Sequence, residues 1–148
     1  MGKKSSSEKL VIAAASAGAA VGAAYLAVGN AIFNKTMSKK SIAKKMDEKK
    51  NENDGITKEG MEWFDSASPA KVKIVTPRGG YVHGEIILAD EPSDVWVIVI
   101  HGYTGSPRRM GSLGKRFHEM GYNCLFPYLC GHGASESNYA TMGWNDRI

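Results

Sequence analysis

The stretch that most constrains the fold is residues 95–105, Val-Trp-Val-Ile-Val-Ile-His-Gly-Tyr-Thr-Gly. Val95 to Ile100 has no polar break and, apart from Trp96, is entirely β-branched. A short, uniformly apolar run bounded by turn residues reads as a strand buried on both faces. It stops abruptly at His101-Gly102, and a loop follows from Gly102 to Ser106. Pro107 then suits the first turn of a helix. A buried parallel strand that ends in a glycine loop and leads into a helix is where α/β proteins place their chemistry.

The flanking segments fit that reading. Pro107 to Met120 reads as a helix, with Met110, Leu113, Phe117 and Met120 at helical spacing on one face. Gly121 is a good helix stop. Tyr122 to Tyr128 is the next strand, so strand, helix and strand imply a right-handed crossover and a parallel pair. Upstream, Thr57 to Ser66 reads as a short helix that turns Met61 and Phe64 or Trp63 inward. Lys71 to Thr76 alternates, with Val72, Ile74 and Thr76 on one side. After a turn at Pro77-Arg78-Gly79-Gly80, Tyr81 to Leu88 returns antiparallel. Beyond Gly131 to Ser135, Tyr139 to Trp144 reads as a loop and Asn145 to Ile148 as the first turn of another helix. The fold class is α/β.

Residues 1–9 are polar, and Leu10 to Phe33 carries no charge over 24 residues. About 20 apolar residues span a bilayer as a helix. The run is longer than the 7–15 residues typical of a signal-peptide core, so an uncleaved anchor is preferred. Met1-Gly2 with Ser6 matches a myristoylation pattern, and the apolar run directly behind it makes that match accidental. Gly18 and Gly22 form a Gly-x-x-x-Gly pair of the kind that lets two helices pack closely, although such pairs arise by chance among so many small residues. Lysines on both sides of the run leave its orientation open. Asn34 to Ile56 is lysine-rich and reads as a solvated tether, one that can touch anionic headgroups. The expected organisation is therefore a polar N-terminus over 1–9, a membrane anchor over 10–33, a linker over 34–56 and an incomplete α/β domain over 57–148.

Charge separates these parts. Residues 1–60 hold eleven Lys and six acids, a net +5, and residues 61–148 hold eight Lys and Arg and nine acids, a net −1. The basic character lies beside the apolar run, and a near-neutral α/β part argues against a nucleic-acid-binding face. Two cysteines, Cys124 and Cys130, make no disulfide framework and read as free thiols.

Strand, His101-Gly102-Tyr103-Thr104-Gly105, helix, strand and then Gly131-His132-Gly133-Ala134-Ser135, about 30 residues after His101, resembles the N-terminal part of the α/β-hydrolase fold. More narrowly, it resembles the membrane-anchored α/β hydrolases of Gram-positive bacteria. The resemblance covers roughly Thr57 to Ile148. It implies a sheet in which the fourth strand inserts between the second and third, in the order 1-2-4-3. The outer edge of the third strand then stays exposed and apolar, which marks a site of self-association or aggregation. The residues usual before the Gly-His-Gly turn are Asp-x-Arg, and here they are Tyr128-Leu129-Cys130.

The chemistry implied by the resemblance is acyl transfer. A serine attacks a carbonyl, a histidine takes its proton, an acid orients the histidine, and two backbone N–H groups hold the oxyanion. Carried over residue by residue, the backbone N–H of Tyr103 is one oxyanion donor. His101, Gly102, Thr104 and Gly105 form its supporting loop, with His101 structural. Gly-x-Ser-x-Gly occurs nowhere in the chain. In the family the nucleophile, acid and base all follow later, so His83, His101, His118 and His132 do not match the base. The 148 residues are expected to be an N-terminal portion that is inactive by itself. No cofactor or metal is implied. Glu136 breaks a dinucleotide fingerprint at Gly131-x-Gly133, and Cys124, Cys130 and His132 fit no standard zinc spacing. The expected partners are the lipid bilayer and a small acyl or ester substrate. A membrane-tethered, non-catalytic interaction module is the alternative.

Overall fold

The computed structural model describes residues 5–48, 55–77 and 79–144. The Met1-Gly2 pattern, the lysines at 3, 4, 49 and 50, Arg78 and the expected helical turn at 145–148 lie outside the described residues. The chain divides into two compact units, Met1–Thr36 and Met37–Ile148.

The first unit is essentially one helix, α1, Ser6–Met37. It extends the expected span by four residues at each end, and none of its residues is buried. At 1.5 Å per residue it is about 48 Å long, against roughly 30 Å of bilayer hydrocarbon. It is long and apolar enough to cross a membrane, and its place near the N-terminus is equally that of a signal sequence.

The second unit begins with a difference from expectation. Lys39–Glu48 is a helix, α2, where a solvated tether was expected. The reason is Ile42, which is 0% exposed. Ile42, Ala43 and Met46 share one stripe at helical spacing, and the lysines around them occupy the rest of the helix surface. Helix α3, Gly55–Ser66, buries Gly60, Met61 and Phe64. Strands β1, Ala70–Val75, and β2, Tyr81–Ile87, form the expected antiparallel hairpin, with Ile74 opposite Val82. Strand β3 is Trp96–Ile98 and β4 is Asn123–Pro127. Between them lie a 3-10 turn, Pro107–Met110, and helix α4, Gly111–Glu119.

The sheet is mixed, in the order β1-β2-β4-β3. β4 runs antiparallel to β2 and parallel to β3, with Val97 opposite Cys124. The order is the one the resemblance implied. The core lies on one face, where Phe64 of α3 meets Ile87, Val99, Cys124 and Phe126. The Phe64 and Phe126 rings meet edge to face at 5.1 Å, the arrangement their quadrupoles prefer.

Two expectations are corrected here. Val95 to Ile100 is not buried on both faces. Val99 is 2% exposed, whereas Trp96, Ile98 and Ile100 are each about half exposed. β3 is the edge strand of this sheet, and among the described residues the core cluster forms on one side of it. The pleat sends 97 and 99 to that side and 96, 98 and 100 to the other. The second correction concerns α4. Leu113 and Met120, expected to face the core, are exposed, and the buried residues are Gly111 and Gly114. A Cβ on Gly111 would overlap the Gly60 carbonyl, and one on Gly114 would overlap the Phe126 ring. Helices α3 and α4 therefore meet backbone to backbone through glycine, which apolar periodicity does not register. Arg108 and Lys115 pair with Asp65 and Glu59 along the rim of this interface, and Arg108 beside Asp65 holds that carboxyl below its usual range. Both pairs are exposed to solvent, so they orient more than they stabilise.

Candidate functional site

The parallel ends of β3 and β4 deliver two loops to the same edge of the sheet, where α/β proteins place their sites. The first is His101 to Ser106. His101 is buried. Its Nε2 accepts the Leu129 N–H at 3.2 Å, and its Nδ1 lies 2.9 Å from the Gly102 carbonyl oxygen. A ring that accepts at Nε2 and donates at Nδ1 is neutral and held in one tautomer. His101 thus ties the β3 loop to the β4 loop. Gly102 to Gly105 closes a turn in which the Gly105 N–H donates to the Gly102 carbonyl at 2.8 Å.

Within that turn the left-handed residue is Thr104, with φ 58°, and not Gly102. A buried, β-branched residue in that region is strained. What Gly102 supplies is space, because among the described residues no atom beyond its chain neighbours lies within 4 Å of where its Cβ would stand. A ligand can approach the Gly102–Tyr103 peptide from that side.

The second loop is Tyr128 to Asn138. Ser135 is fully buried, and its Oγ donates to the Tyr128 carbonyl at 2.6 Å and accepts the His83 N–H at 2.9 Å. It pins the Gly-His-Gly turn to β2. The Tyr128 hydroxyl donates to Glu85 at 3.0 Å. Burial, with Glu85 beside it, pushes this phenol up to about 12, so Tyr128 is a donor here and not a base. The His132 ring lies against that of His101, tilted by 58° with ring centroids 4.9 Å apart. Its Nδ1 lies 3.1 Å from the Cys130 carbonyl, and its Nε2 is buried without a hydrogen-bond partner among the described residues.

The structure places His83 in β2, where its backbone serves the Ser135 clamp. It places His118 on α4, with Nε2 3.0 Å from the Leu88 carbonyl and the ring against Trp63. Cys124 and Cys130 are thiols and form no disulfide with each other, and burial raises the Cys124 thiol. Among the described residues no group of three His, Cys, Asp or Glu stands ready for a metal.

Sequence reasoning missed α2 as part of this edge. The Ala140 N–H donates to the Met37 carbonyl, and the Lys39 N–H donates to the Asn138 carbonyl, both at 2.8 Å. Ser38 and Tyr139 form an antiparallel bridge. Lys45 reaches over the Tyr103 ring, with Nζ 5.5 Å from its centroid. The spacing of Ile42, Ala43 and Met46 was the available signal. For the Ser135 clamp no sequence signal exists, since a buried hydroxyl looks like any other serine. Its contribution is testable. Ser135→Ala should cost about 1–3 kcal/mol, because it strands a backbone donor, and hydrogen exchange at the His83 amide should speed up markedly. An unchanged His83 amide would contradict the clamp.

No family model matches the chain, and no solved structure matches it. It is 31% identical over 58 residues to a thermostable monoacylglycerol lipase of Bacillus sp. (strain H-257), covering 39% of this chain and 23% of that protein. It is also 31% identical over 75 residues to a carboxylesterase of Bacillus subtilis (strain 168), covering 51% of this chain and 27% of that protein. The chain thus spans about a quarter of the length of the curated relatives it matches. This weak, partial similarity is to esterase and lipase proteins, and it supports a hydrolase at most.

Proposed function

We propose that these residues are the oxyanion-side portion of a membrane-held α/β hydrolase that cleaves carboxylic esters. The observation that carries the reading is the His101–Gly105 turn, set at the parallel ends of β3 and β4 in a sheet of order β1-β2-β4-β3. The similarity to a lipase and a carboxylesterase supports it. In this reading the Tyr103 backbone N–H receives the oxyanion that develops on the ester carbonyl. Gly102 leaves room for that carbonyl, and His101 holds the peptide in place from below. Such donors act by being aimed before the reaction begins. Nucleophile, base and acid come from none of these 148 residues, and α1 supplies the anchor.

The test follows the reading frame past the codon for Ile148. A strand followed by Gly-x-Ser-x-Gly is expected, and the polypeptide bearing it should hydrolyse p-nitrophenyl acyl esters. Tyr103→Pro, which removes the N–H, should lower kcat by roughly 10²–10³-fold with little change in KM, whereas Tyr103→Phe should retain activity. The 148 residues alone should take up no fluorophosphonate probe. A stop codon directly after Ile148, or labelling of the 148-residue chain, would overturn the reading. The half-exposed apolar side chains of Trp96, Ile98 and Ile100 favour a second reading, a tethered module whose partner covers that face, and a stop codon would select it.

A further inference from the structure

A cavity of about 360 Å³ lies between α2, α3 and the β4 loop. That is within the range of small-molecule sites, roughly 300–1,000 Å³. Ile42, Ala43 and Met46 of α2 and Met61 of α3 form an apolar wall, and Tyr128 closes one side. Methionine is the most adaptable apolar lining, because its thioether chain repacks around irregular guests. Lys39, Arg108 and Arg109 also line the cavity. These charges are not equivalent. Arg108 is neutralised by Asp65, its Nε donating to Oδ1 at 2.7 Å. The Lys39 ammonium donates to the Ser135 carbonyl at 2.7 Å, and no carboxylate among the described residues pairs with it. An ammonium has three donors, so Lys39 keeps donors and a full charge for a guest.

An apolar wall beside an ammonium that no carboxylate among the described residues pairs with selects an amphiphile with a single apolar chain and an anionic end. We propose that this cavity binds a single-chain fatty carboxylate, its alkyl chain along Ile42, Met46 and Met61 and its carboxylate at Lys39. The lysine-rich segment after α1 is then one wall of a ligand site and more than a spacer. Binding needs no nucleophile, so this inference stands or falls separately from ester cleavage.

The full chain, in nanodiscs of phosphatidylcholine, is photolysed with dodecanoate carrying a diazirine in its chain, and the adducts are mapped by mass spectrometry. Adducts are expected on the peptides holding Ile42 to Met46 and Met61, and excess dodecanoate should suppress them where dodecyltrimethylammonium and dodecanol do not. Lys39→Gln should reduce this labelling about tenfold, the worth of a charge-assisted hydrogen bond. Ala43→Trp, which fills the cavity, should abolish it. Labelling confined to α1, suppression by dodecanol equal to that by dodecanoate, or full labelling of Lys39→Gln would overturn the proposal. Should Ala43→Trp fail to fold by circular dichroism, Lys39→Gln decides alone.

Discussion

Replacing Phe126 with alanine should unfold most of the second unit under conditions where the parent chain is folded. Phe126 is 0% exposed and sits at the centre of the core, where Phe64, Ile87, Val99 and Cys124 converge. Truncating a buried phenylalanine removes its transfer free energy and leaves a cavity, together about 3–5 kcal/mol. Domains of this size are stable by about 5–15 kcal/mol, and the described residues pack their core cluster on one face of this sheet, so such a loss consumes much of the total. With a urea slope of roughly 1–3 kcal/mol per M, the midpoint measured by near-ultraviolet circular dichroism in mild detergent should fall by roughly 2 M. Phe126→Leu, which keeps most of the volume, should cost about a third as much. Equal midpoints for the two variants would mean that the core does not centre on this ring.

Gly111→Ala is the second large effect, and its sign is opposite to ordinary helix propensity. In an exposed helix, glycine to alanine gains about 1 kcal/mol. At position 111 the added methyl would overlap the Gly60 carbonyl, and neither atom belongs to a side chain that can swing away. Helix α4 must move off α3, and the Phe64–Phe126 contact beneath it loosens in turn. Overpacking of this kind costs about 1–3 kcal/mol and more where the obstacle is backbone. Gly60→Ala meets the Ser112 backbone across the same interface and should cost about as much. The two substitutions together should be less than additive, because one separation of the helices relieves both. Gly18→Ala on α1, where a Cβ meets nothing within 4 Å, serves as the control with little or no loss. If thermal melting ranks Gly111→Ala beside Gly18→Ala, the glycine contact between α3 and α4 is wrong.

The same glycine contact positions the candidate site. The 3-10 turn that follows the His101–Gly105 loop carries Pro107, which is buried, and Arg108, which reaches Asp65 on α3. A displacement of α4 would therefore pull on the loop whose Gly102–Tyr103 peptide is proposed to meet the oxyanion. Fold stability and placement of that peptide are coupled through one interface.

Local pattern was enough for much of this protein. The β-branched run at Val95 to Ile100, the glycine loop after it, Pro107 and Gly121 mark strand, loop, helix start and helix end by their own backbone preferences. The alternation at 71–76 and the turn before Tyr81 mark the hairpin in the same way. The long uncharged run at 10–33 marks α1. These are properties of a segment and its immediate neighbours, so the residues alone carry them. The strand order 1-2-4-3 came through the resemblance, and the sheet has that order. What the tertiary structure decided is which neighbours each segment meets. It set the exposed side of β3, because burial depends on which face the helices cover. It put Gly111 and Gly114 at the α4 interface in place of Leu113 and Met120, because close approach rewards the absence of a side chain. It seated Ile42 against the body of the unit, gave Thr104 the left-handed turn, and made Ser135 a clamp between β2 and β4. Each of these depends on a partner many residues away in the chain, and the free energy of such a contact belongs to the pair, so neither residue's own neighbourhood records it.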